Sequence, residues 1–90
     1  MSLPFRAIHY FVEVARCESF SKAAERLFVS QSAVSHQVRL LEELLGADLF
    51  VRRGRQTLLS AVGESYFNEV ASAINSIEHA TRNFQQDDSR

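Results

Sequence analysis

With one proline and three glycines in ninety residues, the chain is poor in the residues that punctuate loops. That scarcity favours helices joined by short turns. Its one cysteine, Cys17, excludes an internal disulfide, so nothing points to an oxidising compartment. No apolar run reaches the roughly 18 residues of a membrane-spanning helix, and no basic-then-apolar secretory signal opens the chain. The cytoplasm is therefore the expected compartment. The sequence also lacks a CxxC pair, an HExxH motif, a cluster of acidic ligands and a glycine-rich phosphate loop, so neither metal nor cofactor is expected. Ser35 and His36 are sequence neighbours that diverge on a helix, so they cannot serve as nucleophile and base, and no enzyme is expected.

Net positive charge is missing too: the formal charge is -1. Taken alone, that argues against a nucleic-acid partner. Its distribution argues the other way. Between residues 19 and 60, Lys22, Arg26, Arg39, Arg52, Arg53 and Arg55 stand against Glu25, Glu42, Glu43 and Asp48, leaving +2. Residues 61–90 hold two arginines against five acids and carry -3. The middle is basic, and an acidic C-terminal stretch masks it.

What is present is helical periodicity. Ile8, Phe11, Val12 and Ala15 share one face of a first helix expected from about Pro4 to Arg16. Ser21 is expected to cap a short second helix ending at Leu27, and Ser30 a third, in which Val34, Val38, Leu41 and Leu45 recur before Gly46 stops it. Leu49–Arg52 and Arg55–Leu59 read as two strands around a glycine turn. Ser60 can cap a last helix from Ala61 to about Gln85. Its seam of Phe67, Val70, Ile74, Ile77, Thr81 and Phe84 advances in alternating steps of 3 and 4, the heptad spacing of a helix that packs along another. Near its start the seam, with Tyr66 and Phe67, can cover the chain's own helices; beyond about Val70 the helix outruns the domain, so a second copy is the expected partner. The fold class is thus mainly α, three helices and a small hairpin followed by a long helix.

Two helices joined by a three-residue turn offer the second to a DNA major groove. With its apolar residues on one side, the third helix exposes Gln31, Ser32, Ser35, His36 and Arg39, hydrogen-bonding groups with no acid among them. The helix starts near Ser21, Lys22 and Ser30 suit phosphate oxygens, as does Arg39. Arg52, Arg53 and Arg55 surround the hairpin turn, where guanidiniums can reach phosphates or a narrow minor groove.

Ser19-Phe20-Ser21, Ala23-Ala24, Leu27, Val29 to Ser35, Leu41-Glu42, Leu45-Gly46, Leu49-Phe50, Arg52 and Arg55 closely resemble the N-terminal domain of LysR-type transcriptional regulators. The run Ala33 to Gln37 is most similar to the glycine-cleavage-activator subgroup. The resemblance covers nearly the whole chain. It implies a winged helix-turn-helix over residues 1–60 and a linker helix over 61–90 that dimerises, usually antiparallel. It also implies base contacts from Gln31, Ser32, Ser35 and His36, and Arg55 in the minor groove of double-stranded DNA. Two positions depart from the family pattern. Ser60-Ala61-Val62-Gly63 stands where Thr-x-Ala-Gly is usual, and His36 where arginine is frequent. The sequence ends where the family's effector-binding domain begins, so a small-molecule inducer is expected only in that further domain.

Duller readings attach to some of these residues. His9 and His79 read as ordinary helical residues, and Arg39 can pair with Glu42 or Glu43 for tenths of a kcal/mol. The alternative to a DNA binder is a protein-interaction module built on the same winged helix. It requires an apolar face on the third helix, where this sequence is polar and basic.

Overall fold

A computed structural model of the chain describes residues 2–87. Helix α1 spans Phe5–Cys17, α2 Phe20–Leu27 and α3 Gln31–Leu45; β1 (Phe50–Arg53) and β2 (Gln56–Leu59) follow, and then α4, Ala61–Asp87. The mainly α class, the order of elements and the two-stranded hairpin are as the sequence implies. Antiparallel β1 and β2 pair Phe50 with Leu59 and Arg53 with Gln56, which leaves Gly54 and Arg55 as the two-residue loop. The turn thus falls one residue later than expected. Gly54 has φ +59, a value that glycine adopts without penalty at the first position of such loops.

Helix α2 corrects one expectation. Its cap is Ser19, not Ser21: Ser19 sits in extended backbone and its Oγ accepts the Lys22 N–H at 3.0 Å. Ser21 lies inside the first turn, exposed. Either serine could have capped, and the choice of Ser19 gives Phe20 a helical position from which its ring reaches the hairpin. Helix α3 begins and ends as its sequence implies. Ser30 Oγ accepts the Ala33 N–H at 3.1 Å, and Gly46, at φ +73, closes the helix by donating to the Glu42 carbonyl.

Two clusters make up the core. Val14, Ala23, Ala24, Val34 and Val38 join the first three helices, the two alanines letting α2 approach closely. Ala7, Phe11, Val12, Leu41, Leu49 and Ile74 join α1 and α3 to α4, with Tyr66, Phe67 and Val70 packed against them. Here the structure divides the expected dimer seam. Phe67, Val70 and Ile74 serve the chain's own core because α4 runs back along α1, where Arg16 hydrogen-bonds Asn75 and lies 3.8 Å from Glu78. Only Ile77, Thr81 and Phe84 of that seam are left exposed.

The α2–α3 turn is closed by Phe28 at φ +60, its side chain 92% exposed. A left-handed conformation costs an L-residue about 1–2 kcal/mol, and here no packing offsets it. Phe28→Gly is therefore expected to raise stability by roughly 0.5–1 kcal/mol, the strain relieved less the added freedom of the unfolded chain. Thermal melting would show it, and a lower melting temperature would mean that the ring is packed in solution.

Candidate nucleic-acid interface

Successive residues of an α-helix are turned by about 100°, so Gln31, Ser32, Ser35, His36 and Arg39 fall within about 140° of the α3 circumference. Val34, Val38 and Leu41 occupy another side and are buried, which fixes the polar face outward. Gln31, Ser32, His36 and Arg39 are exposed and Ser35 is half-buried. Ser30 and Ser32 hydroxyls lie 3.3 Å apart at the helix start, so the cap and a candidate base contact share one small polar cluster. Among the described residues Arg39 forms no ion pair with Glu42 or Glu43. Glu42 instead accepts the Leu49 N–H at 2.8 Å, holding the end of α3 to the segment that leads into β1.

The hairpin carries Arg52, Arg53 and Arg55, all exposed, with Arg55 in the loop itself. Arg52 lies back against the domain, its guanidinium carbon 5.9 Å from the centre of the Phe20 ring. Phe20, Ser35, Arg39 and Arg52 line one cleft between α2, α3 and the hairpin. Lys22 and Ser21 stand exposed on the first turn of α2. The structure thus brings Ser35, Arg39 and Arg52 together, while Arg53 and Arg55 stand apart on the hairpin.

Sequence reasoning gave no role to two residues near this surface, Phe20 and Glu13. Nothing local in the sequence places an arginine over the Phe20 ring. Glu13 is buried on α1 and holds Arg26 of α2 at 2.9 Å, a bond that ties the helix-turn-helix to α1. Burial first, and the Glu13 carboxylate second, push the nearby Cys17 thiol up. Its thiolate is disfavoured at neutral pH. Among the described residues no group of three or more His, Cys, Asp or Glu side chains could hold a metal ion, and no helix is long and apolar enough to cross a membrane.

Three helices, a two-stranded wing and an outward polar face on the second helix of the helix-turn-helix define a winged helix-turn-helix domain extended by a long C-terminal helix. Residues 5–64 match the family model described as bacterial regulatory helix-turn-helix protein, lysR family. The chain belongs to this family. It is 46% identical over 82 residues to the glycine cleavage system transcriptional activator of Escherichia coli (strain K12), covering 91% of this chain and 27% of that protein. The homologous activator of Haemophilus influenzae is 42% identical over 78 residues, 87% of this chain and 26% of its own length. The chain thus spans about a quarter of these relatives. Among solved structures, the BenM_DBD/catB site 1 DNA complex superposes with a TM-score of 0.80 at 28% identity, over 100% of this chain and 98% of that one. CbnR, a LysR family transcriptional regulator, gives a TM-score of 0.77 at 29% identity, over 94% of this chain and 29% of its own.

Proposed function

We propose that the chain is the DNA-binding part of a cytoplasmic transcription regulator, which places α3 in the major groove and the hairpin against the flanking minor groove of double-stranded DNA. One observation carries this reading: the α3 face formed by Gln31, Ser32, Ser35, His36 and Arg39 is polar and ends beside an arginine-bearing wing, while the exposed Leu40 and Leu44 lie outside that face. A protein-interaction module would need apolar surface there. Gln31, Ser32, Ser35 and His36 are the base contacts, with Arg55 in the minor groove. Ser21, Lys22, Ser30, Arg39, Arg52 and Arg53 hold phosphates. No catalytic role is assigned to the chain, and any small-molecule inducer belongs to a further effector domain.

A second copy binds along α4. The supporting observation is the exposed remainder of the seam, Ile77, Thr81 and Phe84, lying next to the buried Ile74. Positions 74, 77, 81 and 84 have steps of 3, 4 and 3, which read the same in both directions. An antiparallel copy therefore pairs Ile74 with Phe84 and Ile77 with Thr81, layer by layer. Ala80 lies next to the two-fold axis, where its small side chain permits close approach. Ile74 and Ile77 also line a groove of about 540 Å³ with Phe5 and His9, so the second copy's Phe84 has an apolar seat.

Selection from a randomised duplex pool, with affinities at two salt concentrations and sedimentation of the same samples, tests both readings. An enriched inverted repeat bound by a dimer with steep salt dependence is the expected result. Binding without an enriched sequence would remove the base-contact assignment, and a monomer that binds tightly would remove the seam. Arg55→Ala is expected to weaken binding to all duplexes and to lower the magnitude of the salt slope by about one. Gln31→Ala or Ser35→Ala is expected to cost about 1–3 kcal/mol on the selected sequence and little on random DNA. Equal losses on both DNAs for both classes of variant would refute this division of roles.

A further inference from the structure

We propose that the cleft between α2, α3 and β1 grips a single backbone phosphate of the bound duplex, and that the Phe20 ring is a positioning residue holding Arg52 there. This rests on the DNA-binding reading above and adds to it a defined seat and a residue that touches no DNA.

The cleft has a volume of about 230 Å³ and is lined by cationic side chains from two separate elements, Arg39 from α3 and Arg52 from β1. Two arginines lining one small volume are suited to a phosphodiester oxygen pair. Glu42 is the acid in the cleft, and its carboxylate accepts the Leu49 N–H at 2.8 Å. Among the described residues it makes no ion pair with Arg39 or Arg52, so neither arginine is engaged by an acid.

Arg52 is an exposed residue on an edge of a two-stranded wing, and a free arginine there would sample many rotamers. Its guanidinium carbon instead stands 5.9 Å from the centroid of Phe20, within reach of the ring's quadrupole. A guanidinium held over a ring by its charge still has N–H donors to offer, so the ring and a phosphate can hold Arg52 together. The ring is itself braced: Phe50 meets it edge-on at 5.6 Å, and Phe50 lies 5.4 Å from the fully buried Phe11. Phe20 thus spans from the core to the DNA-facing cation. A residue there that only filled space could be any apolar side chain; one that orients Arg52 has to be aromatic.

The test is a double-mutant cycle on the 90-residue chain, with the duplex recovered by selection. Phe20→Leu keeps an apolar group against Phe50 but removes the ring face; Phe20→Tyr keeps the face. Phe20→Leu is expected to weaken binding about two- to fivefold and to move the salt slope toward that of Arg52→Ala. The double variant is expected to bind no more weakly than Arg52→Ala alone, because the ring has no task once the arginine is gone. Phe20→Tyr is expected to bind as the unchanged chain does. Losses that multiply in the double variant, or a salt slope that Phe20→Leu leaves untouched, would overturn the proposal and leave Phe20 as packing. Melting curves of each variant separate that packing cost from the binding loss. Failure of the unchanged chain to bind any duplex would instead defeat the DNA-binding reading, a result the cycle cannot mimic.

Discussion

Gly63→Ala is expected to destabilise the domain by about 3 kcal/mol and to lower its melting temperature by about 12–24 °C, although helix propensity alone gives the opposite sign. Gly63 lies in the first turn of α4, and glycine inside a helix is about 0.5–1 kcal/mol worse than alanine, so the substitution looks favourable. The surroundings reverse this. A Cβ at Gly63 would stand 2.1 Å from the Leu49 carbonyl oxygen and 3.1 Å from Leu59 Cδ2. The carbonyl cannot withdraw, because it accepts the Ser60 N–H at 2.9 Å. Ser60 Oγ donates to the Asp48 carbonyl at 2.6 Å and accepts the Gly63 N–H at 3.0 Å. The start of α4 is stitched to the residues that lead into β1, and a methyl group would prise that seam open. Gly46 and Gly54 make the contrast: a Cβ at either meets nothing within 4 Å, and only their φ of +73 and +59 resists substitution. Alanine there is expected to cost only about 1–2 kcal/mol. Thermal melting of the three variants ranks them. If Gly63→Ala proves the mildest, the close approach of α4 to Leu49 does not exist in solution.

That reversal shows what a single sequence reveals and what it hides. Helix α3 was legible from end to end, since Ser30, the recurrence of Val34, Val38 and Leu41, and Gly46 are all local signals. Its polar face followed from the same periodicity. The wing was legible from its strand residues and glycine, with the turn misplaced by one position. The cap of α2 was ambiguous because Ser19 and Ser21 both satisfy the same local rule, and the packing of Phe20 settles which is used. The seam of α4 was legible as a seam, yet periodicity records only that a face is apolar and not what covers it. The structure assigns Phe67, Val70 and Ile74 to the chain's own α1. Phe20 beneath Arg52, Glu13 against Arg26 and Gly63 against Leu49 are contacts between residues distant in sequence, and no spacing rule encodes them. Helix α3 was thus the easiest part to read, and the residues that brace the surface around it were the hardest.

Those braces meet at Phe11, and Phe11→Ala is the substitution expected to do most damage. The side chain is fully buried. Its ring lies 5.4 Å from Phe50 on β1, 5.5 Å from Tyr66 and 6.3 Å from Phe67 on α4, and Phe50 in turn meets Phe20 of α2. One side chain of α1 therefore joins the wing, the long helix and, through Phe50, the cleft between α2, α3 and the wing. Truncating a buried phenylalanine costs about 3–5 kcal/mol, a third or more of the stability of many small domains. The cavity would lie under the wing, so Phe50 would lose its brace and carry Phe20 and Arg52 with it. Loss of stability is accordingly expected together with faster amide exchange in β1 and β2 than in α3, which the second core cluster still holds through Val34 and Val38. DNA affinity measured well below the melting temperature should fall as well, through the wing rather than through α3. Phe11→Leu, which retains most of the volume, should cost under about 1.5 kcal/mol and leave the wing protected. Uniform loosening of α3 and the wing alike would mean that Phe11 is one core residue among several. Selective loosening of the wing would make it the joint through which the core sets the attitude of the wing to α3.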